Sequence, residues 1–126
     1  MIKKEVNTFF TKDIYESEIA LEVNIDVLER IYNSNVSPET ALPIEFFYIS
    51  DNEEKLKNLG IYLLSAYPDY SGFKVEPYEN GFELLGITHP IQMELSVINE
   101  WNKQMWDVGY EFDCKLDGWQ VGTTTK

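Results

Sequence analysis

The chain has 126 residues, 44% of them hydrophobic and 14% aromatic, which suits one buried core and is too apolar for a disordered segment. A formal net charge of -12 repels phosphate backbones and anionic lipid, so direct nucleic-acid and membrane binding are not expected and a basic protein partner is. Cys114 is the single cysteine, so no intramolecular disulfide is expected, and without an apolar leader or a bilayer-length apolar run the expected location is the cytoplasm.

Residues 1–13 leave their state open, since Phe9 and Phe10 suit either an extra strand or a helix start. Leu21, Ile25, Leu28 and Tyr32 recur at helical spacing, with Val27 and Ile31 widening the stripe. That periodicity predicts one helix over 14–33. Asn33-Ser34-Asn35 ends it, and Ser37-Pro38 forces an extended or turn segment. The aromatic and β-branched run Ile44–Ile49 predicts a strand. Ser50-Asp51-Asn52 then offers N-caps, with Glu53 and Glu54 in a first turn where the helix dipole favours anions. Leu56, Leu59, Leu63 and Leu64 carry that helix to about Ala66.

Phe73–Glu76 alternates as a half-buried strand does, Asn80-Gly81 predicts a hairpin, and Phe82–Thr88 is the return strand. Leu95, Ile98, Met105 and Val108 predict a further helix, with Gly109 as its candidate terminator. Trp101 and Trp106 lie five residues apart on it, so one is expected in the core and the other towards solvent. Residues 112–121 close the chain as a strand around a tight Asp117-Gly118 corner. The order from residue 43 is strand, helix, strand, strand, helix, strand. It predicts an α+β fold with a ferredoxin-like β-α-β-β-α-β antiparallel sheet, helices on one face, and an additional N-terminal helix. A single domain over 1–126 is expected, with residues 1–35 an N-terminal helical extension and 43–122 the core.

Catalytic chemistry finds little support. His89 is the one histidine, and it precedes Pro90 at a strand end, which suits a turn or hydrogen-bonding role better than a positioned general base. One histidine and one cysteine do not make a structural zinc site, and no calcium loop or phosphate-binding glycine loop is present, so no metal and no cofactor are expected. A deep pocket uniting His89, Tyr110 and carboxylates would revive a small-molecule reading.

The closing residues Leu116-Asp117-Gly118-Trp119-Gln120-Val121-Gly122 are similar to the Tyr-Asp-Gly-Trp-x-Val-Gly signature of the regulator of ribonuclease activity B family. Thr88-His89-Pro90 resembles the family's turn before its last helix. Asn35-Val36-Ser37-Pro38-Glu39 resembles the turn after its first. The resemblance spans roughly Asp26 to Gly122 and, in a family whose founding function is inhibition of ribonuclease E, implies a ferredoxin-like α+β domain and a non-enzymatic inhibitor that binds a ribonuclease E-like endoribonuclease or an RNA-processing assembly.

Candidate partner contacts are Glu53, Glu54, Glu111, Asp113, Asp117 and Trp119. His89, Pro90, Asp117, Gly118, Trp119 and Gly122 are the motif positions. The expected partner is a basic ribonuclease. The alternative is an immunity protein neutralising a toxin, for which size and charge fit equally well. Either a monomer or a homodimer paired through sheet edges is compatible with the pattern.

Overall fold

The computed structural model describes residues 7–121. Its elements are α1 (Lys12–Ser17), α2 (Val23–Tyr32), β1 (Ala41–Leu42), β2 (Glu45–Ser50), α3 (Glu53–Ala66), β3 (Ser71–Tyr78), β4 (Gly81–Ile87), β5 (Ile91–Gln92), α4 (Leu95–Glu111) and β6 (Lys115–Gln120). The fold is mixed α+β with two antiparallel sheets: a four-stranded sheet in the order β3-β4-β2-β6 and a two-stranded β1-β5 ribbon. The ribbon has no counterpart in the expected element order.

The core lies between the large sheet and its helices. Leu56, Leu59 and Leu63 of α3 and Ile98, Trp101 and Met105 of α4 are buried with Phe46, Tyr48, Leu84 and Leu116 of the sheet. Tyr48 donates its hydroxyl to the Met105 carbonyl at 2.6 Å, which ties β2 to α4. Asn52 caps α3, accepting from the Glu54 N–H at 2.8 Å.

Five local expectations are corrected. The helix expected over 14–33 is two helices, because tertiary bonds pull the chain off one axis. The Tyr15 carbonyl, which would accept from residue 19 in a continuous helix, accepts instead from the Trp106 indole N–H at 3.0 Å. Ile25 is consequently exposed, and only Asn24, Leu28 and Ile31 of α2 are buried.

Trp101 and Trp106 are both buried, since the N-terminal segment forms a second cover over α4, with Phe10 edge-on to Trp106 at 4.7 Å. Phe9 and Phe10 belong to neither a strand nor a helix.

Gly109 does not end α4. A Cβ there would lie 2.3 Å from the Cys114 carbonyl and 2.7 Å from the Tyr48 ring, so the glycine permits close helix–sheet contact. The helix closes later in a Schellman turn, with Cys114 N–H on Gly109 O (2.8 Å) and Asp113 N–H on Tyr110 O (3.3 Å). Asp113 takes the left-handed position, φ 59°, that glycine usually fills.

Asp117-Gly118 is not a corner. Both residues lie inside β6, and neither has a positive φ. Phe47 pairs with Gly118 and Tyr48 with Leu116, so Asp117 is the extra residue of a β-bulge. The hairpin at 78–81 is present, but Glu79 (φ 52°) takes the positive-φ position while Gly81 already pairs with Tyr78.

Candidate functional site

Alternation along the strands gives the large sheet two unlike faces. Phe46, Tyr48, Leu84, Gly86 and Leu116 point to the helices and are buried. Phe47 pairs with Leu85, Ile49 with Glu83 and Glu45 with Ile87, so these six share the opposite face. Tyr48 is bonded to α4 and Leu84 lies against Gly60 of α3, which places both long helices on the first face. Among the described residues no helix covers the second. Phe47, Ile49, Leu85 and Ile87 are all part-exposed and lie outside the main core cluster.

Carboxylates frame this apolar strip. Glu76 of β3 stands directly across from Glu83 of β4. Glu83 holds its proton above the ordinary glutamate value, through partial burial first and then the charges of Glu76 and Asp117. Tyr78, at the same end of the face, is pushed up chiefly by Glu79, with Asp117 and Glu83 contributing. Glu45 accepts from the Gln120 side chain at 2.8 Å. The bulge places Asp117 in this field, which is what a bulge does when it re-aims a side chain. The face is therefore an apolar strip in an anionic frame, suited to a cationic protein surface with an apolar centre.

Of the six candidate contacts read from the sequence, Asp117 belongs here. Glu53 and Glu54 are exposed at the start of α3, on the helix side, with Glu53 3.4 Å from Lys57. Glu111 is exposed in the last turn of α4. Trp119 is half-buried, stands edge-on to Trp101 at 6.4 Å and donates its indole N–H to Asn24 at 2.9 Å.

Asp113 is buried and engaged inside the fold. Its carboxylate accepts from the backbone N–H groups of Thr8 (3.0 Å), Phe9 (3.0 Å) and Phe10 (2.6 Å) and from the Lys55 ammonium (2.6 Å). Burial alone would raise its pKa, but Lys55 and the three N–H groups outweigh that and hold it below the usual carboxylate value. It pins the N-terminal segment to the end of α4.

His89 and Pro90 are exposed in the link from β4 to β5, where Thr88 donates its hydroxyl to the His89 carbonyl at 2.6 Å and accepts from Ile44 N–H at 2.9 Å. Gly122 lies outside the described residues. Phe47, Ile49, Leu85, Glu76 and Glu83 were not read as site residues. A signal for them existed, because Phe47 and Ile49 make the β2 run apolar on both parities while an antiparallel sheet with helices on one side needs only one.

A hollow of about 280 Å³ lies at one end of the open face, between Phe9, Ile49, Tyr78 and Phe82, and two others flank the sheet. One, of about 250 Å³, runs between β6 and α2 beside Trp119, Val23 and Val27. The other, of about 340 Å³, lies between α3 and β3, where Ile61 and Leu64 are exposed. His89 and Tyr110 have different neighbours, His89 against Tyr70 and Tyr110 against Tyr15 and Phe10. Burial pushes the Cys114 thiol up to about 12, so it is not a nucleophile at neutral pH. Among the described residues no group of three or more His, Cys, Asp or Glu side chains is arranged to hold a metal ion, and no helix is long and apolar enough to cross a membrane.

The family model described as regulator of ribonuclease activity B matches residues 21–121. A search of curated proteins returns no match.

Proposed function

The chain belongs to the regulator of ribonuclease activity B family, and from that premise we propose that it is a non-enzymatic inhibitor that binds a ribonuclease E-type endoribonuclease through the open face of its sheet. The observation that carries this reading is the part-exposed strip of Phe47, Ile49, Leu85 and Ile87, which no described helix covers, between Glu45, Glu76, Glu83 and Asp117. An apolar strip left part-exposed costs solubility unless a partner covers it. Glu76 has Lys74 at 3.3 Å, but Glu83 across from it and Asp117 have no ion-pair partner among the described residues, and like charges on neighbouring strands destabilise a fold until a cation relieves them. Family membership supplies the class of that partner, and ribonuclease surfaces that hold RNA carry the complementary charge.

The strand order β3-β4-β2-β6, with every neighbour antiparallel, supports a ferredoxin-like description of the core. An acidic chain acting on RNA turnover fits the cytoplasm. Inhibition then needs no chemistry from this protein. It occupies a basic surface that RNA would otherwise use.

A cleavage assay tests the reading. A fluorescent single-stranded RNA is incubated with the host's ribonuclease E-type enzyme and rising amounts of this protein. Inhibition at low salt that fades by about 0.5 M salt is expected, because exposed charges are screened within about 10 Å at 0.1 M and less above it. An RNA-cleavage rate that does not change at saturating protein would sink it.

A further inference from the structure

We propose that the ribonuclease partner seats an arginine or lysine side chain over the ring of Phe47, in the notch beside Gly118, with Asp117 and Glu83 as its counter-charges. The inference rests on the function read above and names the chemistry of one contact within it.

Gly118 is the starting point. It sits inside β6, where glycine costs conformational entropy and contributes no packing. Its φ is not positive, and a Cβ built on it would meet nothing within 4 Å. Neither backbone geometry nor crowding asks for a glycine here, in contrast to Gly109. A bare strand position with open space above it is where another group approaches closely.

Its cross-strand partner is Phe47, part-exposed and engaged in no aromatic pair among the described residues. The register sets Phe47 beside position 118 on the open face, so the space left bare at Gly118, which also borders the hollow between β6 and α2, adjoins the Phe47 side chain. A ring face attracts a cation within about 6 Å.

The surroundings select a cation over another apolar group. Asp117 adjoins the notch in sequence. Glu83 pairs with Ile49, two residues along from Phe47 on the same face, about 7 Å away by strand geometry. Neither carboxylate has an ion-pair partner among the described residues. The face's own lysines are engaged with other groups: Lys74 lies 3.3 Å from Glu76 on the same face, and Lys115 lies 3.8 Å from Glu18 and over the Trp106 ring. A long cationic side chain entering from a partner meets an aromatic wall and two carboxylates within its span.

The test measures the affinity of the endoribonuclease for the wild type and for four variants. Phe47→Leu keeps apolar bulk and removes the ring, and Gly118→Leu fills the notch. Glu83→Gln and Asp117→Asn remove the counter-charges. Each is expected to weaken binding about tenfold without lowering the melting temperature. If Phe47→Leu and Gly118→Leu bind as the wild type does while the charge variants weaken, the notch is overturned and the acidic face stands. If the wild type itself does not bind, the functional reading falls and this inference with it. If Gly118→Leu converts a dimer to a monomer in sedimentation with no change in enzyme binding, the occupant is a second copy, which also overturns it.

Discussion

Glu76 and Glu83 stand opposite each other on β3 and β4, on a face that no described helix covers. Cross-strand like charges of this kind destabilise by roughly 0.2–1 kcal/mol. Glu83→Gln is therefore expected to raise the stability of the free protein by a few tenths of a kcal/mol, within that range, while lowering affinity for the ribonuclease. Paired thermal melts and binding titrations check this. A variant that loses both stability and affinity would mark Glu83 as a folding residue.

The same group sets a pH dependence. Glu83 binds its proton more tightly in the folded chain than an ordinary glutamate does, whose value is 4.5. A raised carboxylate stabilises the fold at low pH and loses that contribution as pH climbs from 4.5 through the raised value. Binding runs the other way, since a cationic partner needs the ionised form. Affinity should be full well above the raised value and fall as pH drops through it, and Glu83→Gln should flatten that part of the profile.

Asp113 is expected to dominate acid lability. Its lowered pKa means that its stabilisation is complete above the ordinary aspartate value of 3.8 and is lost as pH falls through the depressed one. Asp113→Ala removes the acceptor for three backbone N–H groups and leaves Lys55 with Asp51 at 3.4 Å as its remaining carboxylate, at a cost of about 3 kcal/mol, the upper end for a buried donor left unsatisfied. Asp113→Asn keeps a residue tolerant of the left-handed backbone and should cost less. Chemical denaturation at pH 7 and pH 3 separates the two terms, and a mutant as stable as the wild type at pH 7 would show that the N-terminal segment is not held this way.

Two glycines should behave oppositely. Gly109→Ala drives a methyl into the Cys114 carbonyl and the Tyr48 ring and should cost about 1–3 kcal/mol. Gly118→Ala meets open space at a compatible backbone and should be neutral or stabilising by about 0.4–1 kcal/mol. Comparable losses from the two in denaturant unfolding would contradict the placement of Gly118.

The long elements could be read from the sequence because local signals and tertiary demands agree in them. Asn52 does cap α3, and the leucines at 56, 59 and 63 do face the sheet. The misreadings fall where distant residues override a local signal. Trp106 takes the Tyr15 carbonyl from a continuing helix, and Asp113 does the capping that Gly109 suggested. Asp-Gly spelled a corner because its positive-φ capacity is its commonest use, yet β2 pairing draws it into a bulge. The candidate face was hidden for a related reason. Glu76 and Glu83 meet across one hairpin, but Asp117 is distant from both in sequence, and only the pairing of β6 with β2 and the bulge bring it to them.

Methyl-labelled NMR during titration with the ribonuclease tests the binding face most directly, because isoleucine and leucine methyls report on both exposed apolar surfaces. Binding through the open sheet face predicts shifts at Ile49, Leu85 and Ile87, with Ile61 and Leu64 on α3 unmoved. Shifts confined to Ile61 and Leu64 would place the partner on the helix side and contradict the assignment of the open face.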